Sequence, residues 1–386
     1  MPELDDRSLR RALIQANRTI REGRPPLPAH TNSVMREYMA ATGQSKELVR
    51  MYQIWFRTRG CTYDRAGQCS MCNYGIGPEI DERRIARSVE LRLADVPEGA
   101  SVYLSPSGSL LDDAEVPRTL RDRLLRLVAA RRPSIFSFET RPELFSQEKL
   151  DRVRELIPSA RLIGQVGVES WDPDVRNLCH LKPTPQAAYL KAGQLMQRNG
   201  FQSIANITLG GLGLSQREAY GDAMDSVRGA RGAGFTTQMV FPLCAKAGTL
   251  LGWAAEQGMW RPPTLWMLIR VLAAGAAEHA AGGTRSDLSI SWFDPEISDI
   301  VRIRPDGCDR CRPLLVGALH DFRADPRQAT LQEVLSWREC PCPARTDAAL
   351  SQDTDDPGYR SRLEAVAQRW QAASPETARR PLLAEF

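Results

Sequence analysis

Residues 49–74 read VRMYQIWFRTRGCTYDRAGQCSMCNY, an apolar, strand-like run that leads directly into a loop with three cysteines. The run 49–56 has the composition of a buried β-strand. In β/α enzymes the chemistry lies on the loops at the carboxyl ends of the strands. The sequence therefore predicts that residues 57–74 form a functional loop at the end of a first barrel strand.

The loop cysteines, Cys61, Cys69 and Cys72, have the spacing C-x7-C-x2-C, and no fourth cysteine lies nearby. An iron–sulfur cube has four irons that each need a ligand, so three thiolates leave one iron open. A zinc knuckle or three reduced structural thiols are the alternatives, but zinc takes a fourth protein ligand. The histidines are all distant in sequence: His30, His180, His279 and His320. The spacing favours a [4Fe-4S] cluster with one open iron.

Composition indicates a soluble globular protein. The chain has 386 residues, of which 42% are hydrophobic and 25% charged, enough for one barrel-like domain with appendages or for two domains. No apolar run reaches the roughly 18 residues of a membrane span, and the N-terminus, MPELDD, lacks the order of a secretory signal. We therefore predict a cytoplasmic protein with no membrane partner.

Nine cysteines in clusters indicate metal ligation in a reducing compartment rather than a disulfide framework. The net charge of +4 is compatible with a phosphorylated or nucleotide-like ligand. It is too small and too scattered to predict nucleic-acid binding.

Apolar and amphipathic segments alternate along the middle of the chain. Strands are predicted at 49–56, 101–104, 134–138, 162–168, 203–209 and 237–241, and helices at 81–95, 115–131, 147–157, 184–199, 215–232 and 263–280. Six such units predict an α/β fold, a partial (β/α)6 barrel with a parallel sheet. We divide the chain into an N-terminal helical extension (1–48), the barrel (49–285) and a C-terminal metal-binding or substrate-capping subdomain (286–386). In the last part we predict a strand at 287–293 and helices at 330–338 and 359–373.

A second cysteine set lies in the tail, as a C-x2-C pair and a C-x-C pair: Cys308, Cys311, Cys340 and Cys342. Four thiolates suit either a zinc site or an auxiliary [4Fe-4S] cluster. Zinc sites more often use two C-x2-C pairs, and the first cluster raises the expectation of iron, so iron is favoured. Of the two other cysteines, Cys179 is interpreted as a small buried residue. Cys244 ends the sixth strand and is a candidate catalytic residue at the barrel mouth.

The ordered motifs resemble the radical SAM superfamily, in the branch that includes archaeosine-synthesis proteins and, more distantly, the catalytic subunit of elongator. Over residues 49–320 these motifs are RGC with QCSMCNY (59–61, 68–74), SGSLLD (107–112), FETRPE (138–143), GVES (167–170), LGG (209–211), KAGTL (246–250) and WRPPTLW (260–266). The resemblance implies that the open iron chelates S-adenosylmethionine. An electron from an external flavodoxin- or ferredoxin-type donor then gives a 5'-deoxyadenosyl radical, which takes hydrogen from the substrate.

The resemblance also implies cofactor-binding residues. They are Met71, Tyr74, Ser105, Ser107, Gly108, Ser109, Glu139, Arg141, Glu169, Ser170, Gly210 and Gly211. The segment 105–109 is expected to bind the methionine amino group, and Glu139 and Arg141 the ribose hydroxyls and the carboxylate. Glu169 ends an apolar strand, where a carboxylate needs a partner. An ordinary turn, a surface ion pair or a glycine turn would account for the same residues without a cofactor.

Four functions are compatible with these features. The leading hypothesis is hydrogen abstraction from a nucleoside-like or modified-base substrate, and a small molecule is favoured over tRNA because no basic stripe or appended RNA-binding domain is visible. Sulfur insertion with a tail cluster and a tRNA base-modification lyase are alternatives. The fourth is a non-catalytic, zinc-bearing protein that binds RNA or a partner.

Overall fold

A curled eight-stranded sheet forms the centre of the protein, in a computed structural model that describes residues 5–22, 33–42, 47–74, 80–279, 285–298, 300–351 and 357–373. Its strands are β1 (Ser33–Thr42), β2 (Glu47–Phe56), β3 (Ser101–Pro106), β4 (Ile135–Thr140), β5 (Arg161–Glu169), β6 (Gln202–Leu209), β7 (Thr237–Pro242) and β9 (Leu288–Ile290), in that order. Only β1 is antiparallel to its neighbour. A separate antiparallel ribbon pairs β8 (Ala245–Lys246) with β10 (Val301–Ile303).

Helices connect the parallel strands and extend the chain at both ends. They are α1 (Asp6–Glu22), α2 (Thr62–Arg65), α3 (Glu82–Ala94), α4 (Arg118–Ala129), α5 (Gln147–Leu156), α6 (Gln186–Arg198), α7 (Gln216–Gly232), α8 (Leu250–Glu256), α9 (Leu265–His279), α10 (Arg312–Ala324), α11 (Gln332–Ser336), α12 (Cys342–Ser351) and α13 (Gly358–Ala373). Within the described ranges, none of these helices is long and apolar enough to cross a membrane.

The predicted partial barrel is confirmed, since all six predicted strands and all six intervening helices are present in the predicted order. Their signals are strong because parallel strands covered on both faces are nearly continuous apolar runs. All six residues of β3 are buried, for example. The start of α7 is fixed by a capping box between Ser215 and Glu218.

The sheet extends beyond the predicted barrel range of 49–285 at both ends. Before it, β1 lies in a region predicted to be helical, where the helix is confined to α1 among the described residues. After it, β9 pairs with β7 and is shorter than the predicted strand 287–293. The strand β1 escaped prediction because it is a half-exposed edge strand with Arg36 and Glu37 in its middle, which obscures an apolar pattern. The division into three parts stays a prediction.

The open side of the curled sheet is spanned by α10, which contacts both edge strands, β1 and β9. The guanidinium of Arg323 on α10 lies 5.8 Å from the ring centroids of both Tyr38 on β1 and Phe293. The ring of Phe293 also packs edge-on against His320, at 5.0 Å. The tail of the chain therefore closes the side that six β/α units leave open.

Candidate functional site

The three-cysteine loop follows β2 and is held from one side by α1. The side-chain amide of Asn17 donates to the carbonyl oxygen of Gly67 at 2.8 Å. Arg21 donates to the carbonyl oxygen of Cys72 at 2.9 Å and pairs with the buried Asp64. Buried polar contacts of this kind fix a loop that has little regular structure of its own. The N-terminal helix is therefore a support for the cysteine loop, which the sequence did not reveal.

The other side of the loop is held by the segment that follows β5. The hydroxyl of Ser70 donates to the carbonyl oxygen of Cys179 at 2.7 Å, and its backbone N–H donates to that of His180 at 3.1 Å. The thiol of Cys179 is buried, as expected for a small core residue. Cys69 itself has a φ of +66°. A non-glycine residue in this conformation needs such external restraint.

The thiols of Cys61, Cys69 and Cys72 lie on the inner side of this loop, where burial raises the pKa of each. The charges of Cys61 and Cys72 raise the pKa of Cys69 further, so the three sulfurs face one another. They are nevertheless spread more widely than 4.8 Å, the limit within which only the tail cysteines cluster in the described part of the chain. Corner ligands of a four-iron cube are about 6 Å apart. The donor set and its spread therefore fit a cluster better than a single ion.

The loop after β3 packs directly on the first cysteine. A Cβ on Gly108 would lie 2.6 Å from the Cβ of Cys61 and 2.4 Å from Glu115, so only glycine fits there. The carboxylate of Glu115 accepts from the hydroxyl of Thr58 at 2.6 Å and from the backbone N–H of Ser109 at 2.8 Å. Burial raises the pKa of Glu115 to about 7. Glu115 joins the two loops and was not predicted.

The predicted serines of this segment already have partners within the protein. The hydroxyl of Ser107 accepts from the backbone N–H of Thr58 at 3.2 Å, and that of Ser109 accepts from the N–H of Arg141 at 3.1 Å. Ser105 is buried near the end of β3. The segment therefore lies beside the cysteines as expected, while its contact with a methionine amino group stays a prediction.

Arg141 lies against the cysteine loop rather than in open space. Its guanidinium contacts the Sγ of Cys61 at 3.5 Å, Asp112 at 2.9 Å and Glu143 at 2.8 Å. It also covers the ring of Tyr63, 4.3 Å from the centroid. A fixed cation beside a cysteine sulfur stabilises the thiolate. The structure thus gives Arg141 a contact with a predicted cluster ligand, in addition to the predicted role toward a carboxylate.

Two carboxylates and a buried lysine face the barrel mouth. Glu139 accepts from the hydroxyl of Tyr103 at 2.9 Å, and burial, with the nearby Glu169, raises the pKa of Glu139. Glu169 pairs with Lys182 at 2.7 Å, and both side chains are at most 10% exposed. Lys182 also donates to the carbonyl oxygen of Gly167 at 2.5 Å. The partner that the sequence required for Glu169 is therefore Lys182.

A stack of rings and cations runs from the cysteine loop to the edge of the sheet. The ammonium of Lys246 lies 5.0 Å from the ring centroid of Tyr74 and 5.2 Å from that of Trp292, and Arg36 lies 5.2 Å from Trp292. Trp292 is 38% exposed. Cys244 is buried near Lys246, and burial raises the pKa of its thiol. Its catalytic role at the barrel mouth stays a prediction.

Sequence reasoning missed Lys182 and Trp292 and assigned no role to Lys246. One signal was available, because the chain has only five lysines and two of them lie at this site. Residues with a strained backbone conformation also lie at this site. Five non-glycine residues of the described ranges have positive φ, and Cys69, Glu169 and Trp292 are three of them.

Four of the predicted cofactor-binding residues have partners or backbone roles within the protein itself. The hydroxyl of Ser170 donates to Asp222 on α7 at 2.5 Å, so it is directed toward that helix and not toward the cysteines. Gly210 has a φ of +101°, which by itself favours glycine. The carbonyl oxygen of Gly211 accepts from the indole of Trp260. Met71 packs half-buried against the core. Their contacts with a cofactor stay predictions.

We expect the Asp222→Asn variant to lose part of the pH dependence of stability. The pKa of Asp222 is raised to about 7, chiefly by burial and also by the charges of Asp172 and Asp225, while the hydrogen bond from Ser170 and the charge of Arg176 act in the opposite direction. Between about pH 4 and 7 the folded state therefore binds a proton that the unfolded state has lost. The contribution of Asp222 to stability is therefore complete below about pH 4, decreases as pH rises from 4 to 7, and is lost above pH 7.

Thermal melts at pH 5 and pH 8 measure this difference. The melting temperature of the wild-type protein should fall more between pH 5 and pH 8 than that of Asp222→Asn. Asp151→Asn, an exposed change on α5, is the control and should behave like wild type. An equal change in melting temperature between pH 5 and pH 8 for all three proteins would show that Asp222 does not titrate in this range.

The tail cysteines come together in a compact group. The sulfurs of Cys308, Cys311, Cys340 and Cys342 all lie within 4.8 Å of one another. The four predicted tail ligands are therefore close enough together to hold a metal ion.

Two relatives of the chain share the name archaeosine synthase subunit beta, and no protein-family model matches the chain. Archaeosine synthase subunit beta of Methanosarcina acetivorans is 24% identical over 342 residues, which cover 87% of this chain and 94% of the relative. The protein of the same name from Thermococcus kodakarensis is 28% identical over 224 residues, covering 56% and 68%. Both belong to the branch indicated by the ordered motifs, so that resemblance is confirmed.

Solved structures show weaker similarity. An archaeal Elp3 of Methanocaldococcus infernus has a TM-score of 0.46 at 16% identity, covering 60% of this chain and 57% of its own. The radical S-adenosylmethionine methyltransferase TsrM of Kitasatospora setae, solved with cobalamin and a [4Fe-4S] cluster, has a TM-score of 0.39 at 13% identity, covering 83% and 61%. Because these TM-scores are low, our description of the fold depends on the strand order of the sheet and not on these two structures.

Proposed function

We propose that this chain, a radical S-adenosylmethionine enzyme related to archaeosine synthase subunit beta, abstracts hydrogen from a nucleoside-like or modified-base substrate. The observation that carries the proposal is that the thiols of Cys61, Cys69 and Cys72, on the loop that follows β2, lie close enough for their charges to act on one another. A [4Fe-4S] cluster held there, with S-adenosylmethionine on its open iron, would supply the carbon-centred radical.

The surrounding cations support an anionic cluster. Arg21 lies near all three thiols, Arg141 contacts Cys61, and Lys182 and Lys246 lie near Cys69 and Cys72 respectively. Positive groups around a site favour negative charge within it and thereby ease addition of an electron. The protein residues would thus hold and polarise the cluster, and Glu139 and Glu169 would bind hydroxyl or amino groups of the cofactor.

The stack of Tyr74, Lys246, Trp292 and Arg36 supports a planar, anionic substrate. A base can stack on an exposed indole, and the flanking cations can bind a phosphate or an acidic substituent. This fits a nucleotide-like molecule. The names of the two relatives weigh against our preference for a small free substrate, because both are subunits of an archaeosine synthase. A base within tRNA, presented with a partner subunit, is therefore the alternative substrate.

The test is anaerobic reconstitution with iron and sulfide, followed by measurement of 5'-deoxyadenosine formed from S-adenosylmethionine and dithionite. We expect cleavage without substrate and faster cleavage when the correct substrate is added. Free modified nucleosides and a tRNA transcript are compared as separate additions. Absence of 5'-deoxyadenosine from iron-loaded protein would contradict the proposal.

We expect Trp292→Leu to lower substrate turnover about 5- to 150-fold, since stacking on one ring contributes about 1–3 kcal/mol. Cleavage of S-adenosylmethionine without substrate should be unchanged, and Trp292→Phe should retain most turnover. Trp253→Leu is the control, because that ring on α8 packs on Trp370 of α13, with ring centroids 5.1 Å apart. Equal turnover by the two leucine variants would remove Trp292 from the substrate site.

A further inference from the structure

We propose that Cys308, Cys311, Cys340 and Cys342 bind a single zinc ion and not an iron–sulfur cluster. The sulfurs of Cys308 and Cys311 are 3.4 Å apart, and all four sulfurs lie within 4.8 Å of one another. Around zinc, with Zn–S bonds of about 2.3 Å, tetrahedral geometry separates the sulfurs by about 3.8 Å. The ligand sulfurs of a four-iron cube lie about 6 Å apart, because they extend from its corners. The observed group is too compact for a cube.

The surroundings of the group suit a structural metal site. Cys311 is fully buried, and the other three cysteines are half-buried. The buried indole N–H of Trp266 makes no hydrogen bond within the described part of the chain and lies near the sulfur of Cys311. The ring of Trp337 stacks on Trp266 at 6.2 Å. An N–H donor close to a ligand sulfur, covered by an aromatic ring, suits the surroundings of a thiolate metal site.

The position of the site gives it a mechanical role. Cys308 and Cys311 immediately precede α10, the helix that contacts both edges of the curled sheet. Cys342 begins α12, which packs against α7 and α9 on the outside of the barrel. One ion bound by all four sulfurs therefore ties the helix across the open side to the outer helix layer.

This assignment replaces the expectation of iron that we drew from the sequence, and it has a chemical consequence. A single zinc ion bound by four thiolates contains no inorganic sulfide and changes no oxidation state. The tail site therefore offers neither a sulfur atom for insertion into a substrate nor a relay for an electron.

Metal analysis of the full-length chain tests the proposal independently of the proposed function. In a variant with Cys61, Cys69 and Cys72 all changed to alanine, we expect about one zinc per chain and no acid-labile sulfide. Cys308→Ser with Cys311→Ser should lose that zinc and melt at a lower temperature, while Cys179→Ala should keep it. Replacing zinc with Co²⁺ should give the intense visible bands of a tetrahedral thiolate site.

Two outcomes would overturn the assignment. Iron and labile sulfide in near-equal amounts in the triple alanine variant would identify a tail cluster. Absence of any metal, with two fewer free thiols after denaturation, would identify a disulfide. Both measurements use the soluble triple variant and the wild-type protein. They therefore distinguish zinc, an iron–sulfur cluster and a disulfide even if the double serine variant folds poorly.

Discussion

Replacing Cys69 with alanine should reduce cleavage of S-adenosylmethionine to background while the protein stays folded. Cys69 is buried at the centre of the loop, and its charge couples to both other thiols. Two remaining thiolates cannot hold three corners of a cube, so the cluster should be lost. The loop itself should persist, because Asn17 and Ser70 hold its backbone through bonds that do not involve the sulfur.

Iron content, the broad absorbance of the cluster and 5'-deoxyadenosine formation measure the loss, and circular dichroism measures the fold. Cys179→Ala is a matched control, because Cys179 is also buried and its contact with the loop is made by its carbonyl oxygen, which the substitution keeps. It should retain iron and cleavage. Cleavage at the wild-type rate by the Cys69 variant would show that the loop is not the cluster site.

The barrel was predictable from sequence because its signals are local. Each strand from β2 to β7 is a short, mostly apolar run, and the helices between them show the repeat of apolar residues that is typical of an amphipathic helix. Both patterns can be recognised without knowing which distant residues they contact. The edge strand β1 lacks such a signal, since an edge strand is covered on fewer sides and tolerates charged residues. The spanning role of α10 depends on contacts with β1 and β9, far away in sequence.

The site was predictable where spacing carries chemistry. The three loop cysteines and the small residues around Gly108 were predicted correctly as neighbours, because their residue types and their order along the chain form a recognisable motif. Glu115 was interpreted as the start of a helix; it lies three residues before α4 and its carboxylate turns back to Thr58. Lys182 lies in an irregular segment without a helix or strand pattern, so its pairing with Glu169 could not be inferred from the sequence and is seen only in the folded chain.

Lys182→Met should destabilise the protein by about 3–5 kcal/mol, the usual cost of leaving one member of a buried ion pair without its partner. Glu169 would then be buried at the mouth with Glu139 nearby, and the oxygen of Gly167 would lose its donor. Lys182 also lies near Cys69, so the cysteine loop should loosen as well.

Adding Glu169→Gln to Lys182→Met should recover a large part of this loss, because the double variant no longer buries a lone charge. Chemical denaturation of the four proteins forms a double-mutant cycle, and Lys191→Met, an exposed change on α6, is the control, with an expected effect within about 0.5 kcal/mol. If Lys182→Met and Lys191→Met unfold at the same denaturant concentration, the pair contributes nothing. If the double variant regains stability and iron but not binding of S-adenosylmethionine, then Glu169 contacts the cofactor and Lys182 positions it. Recovery of all three properties would instead give the pair a purely structural role.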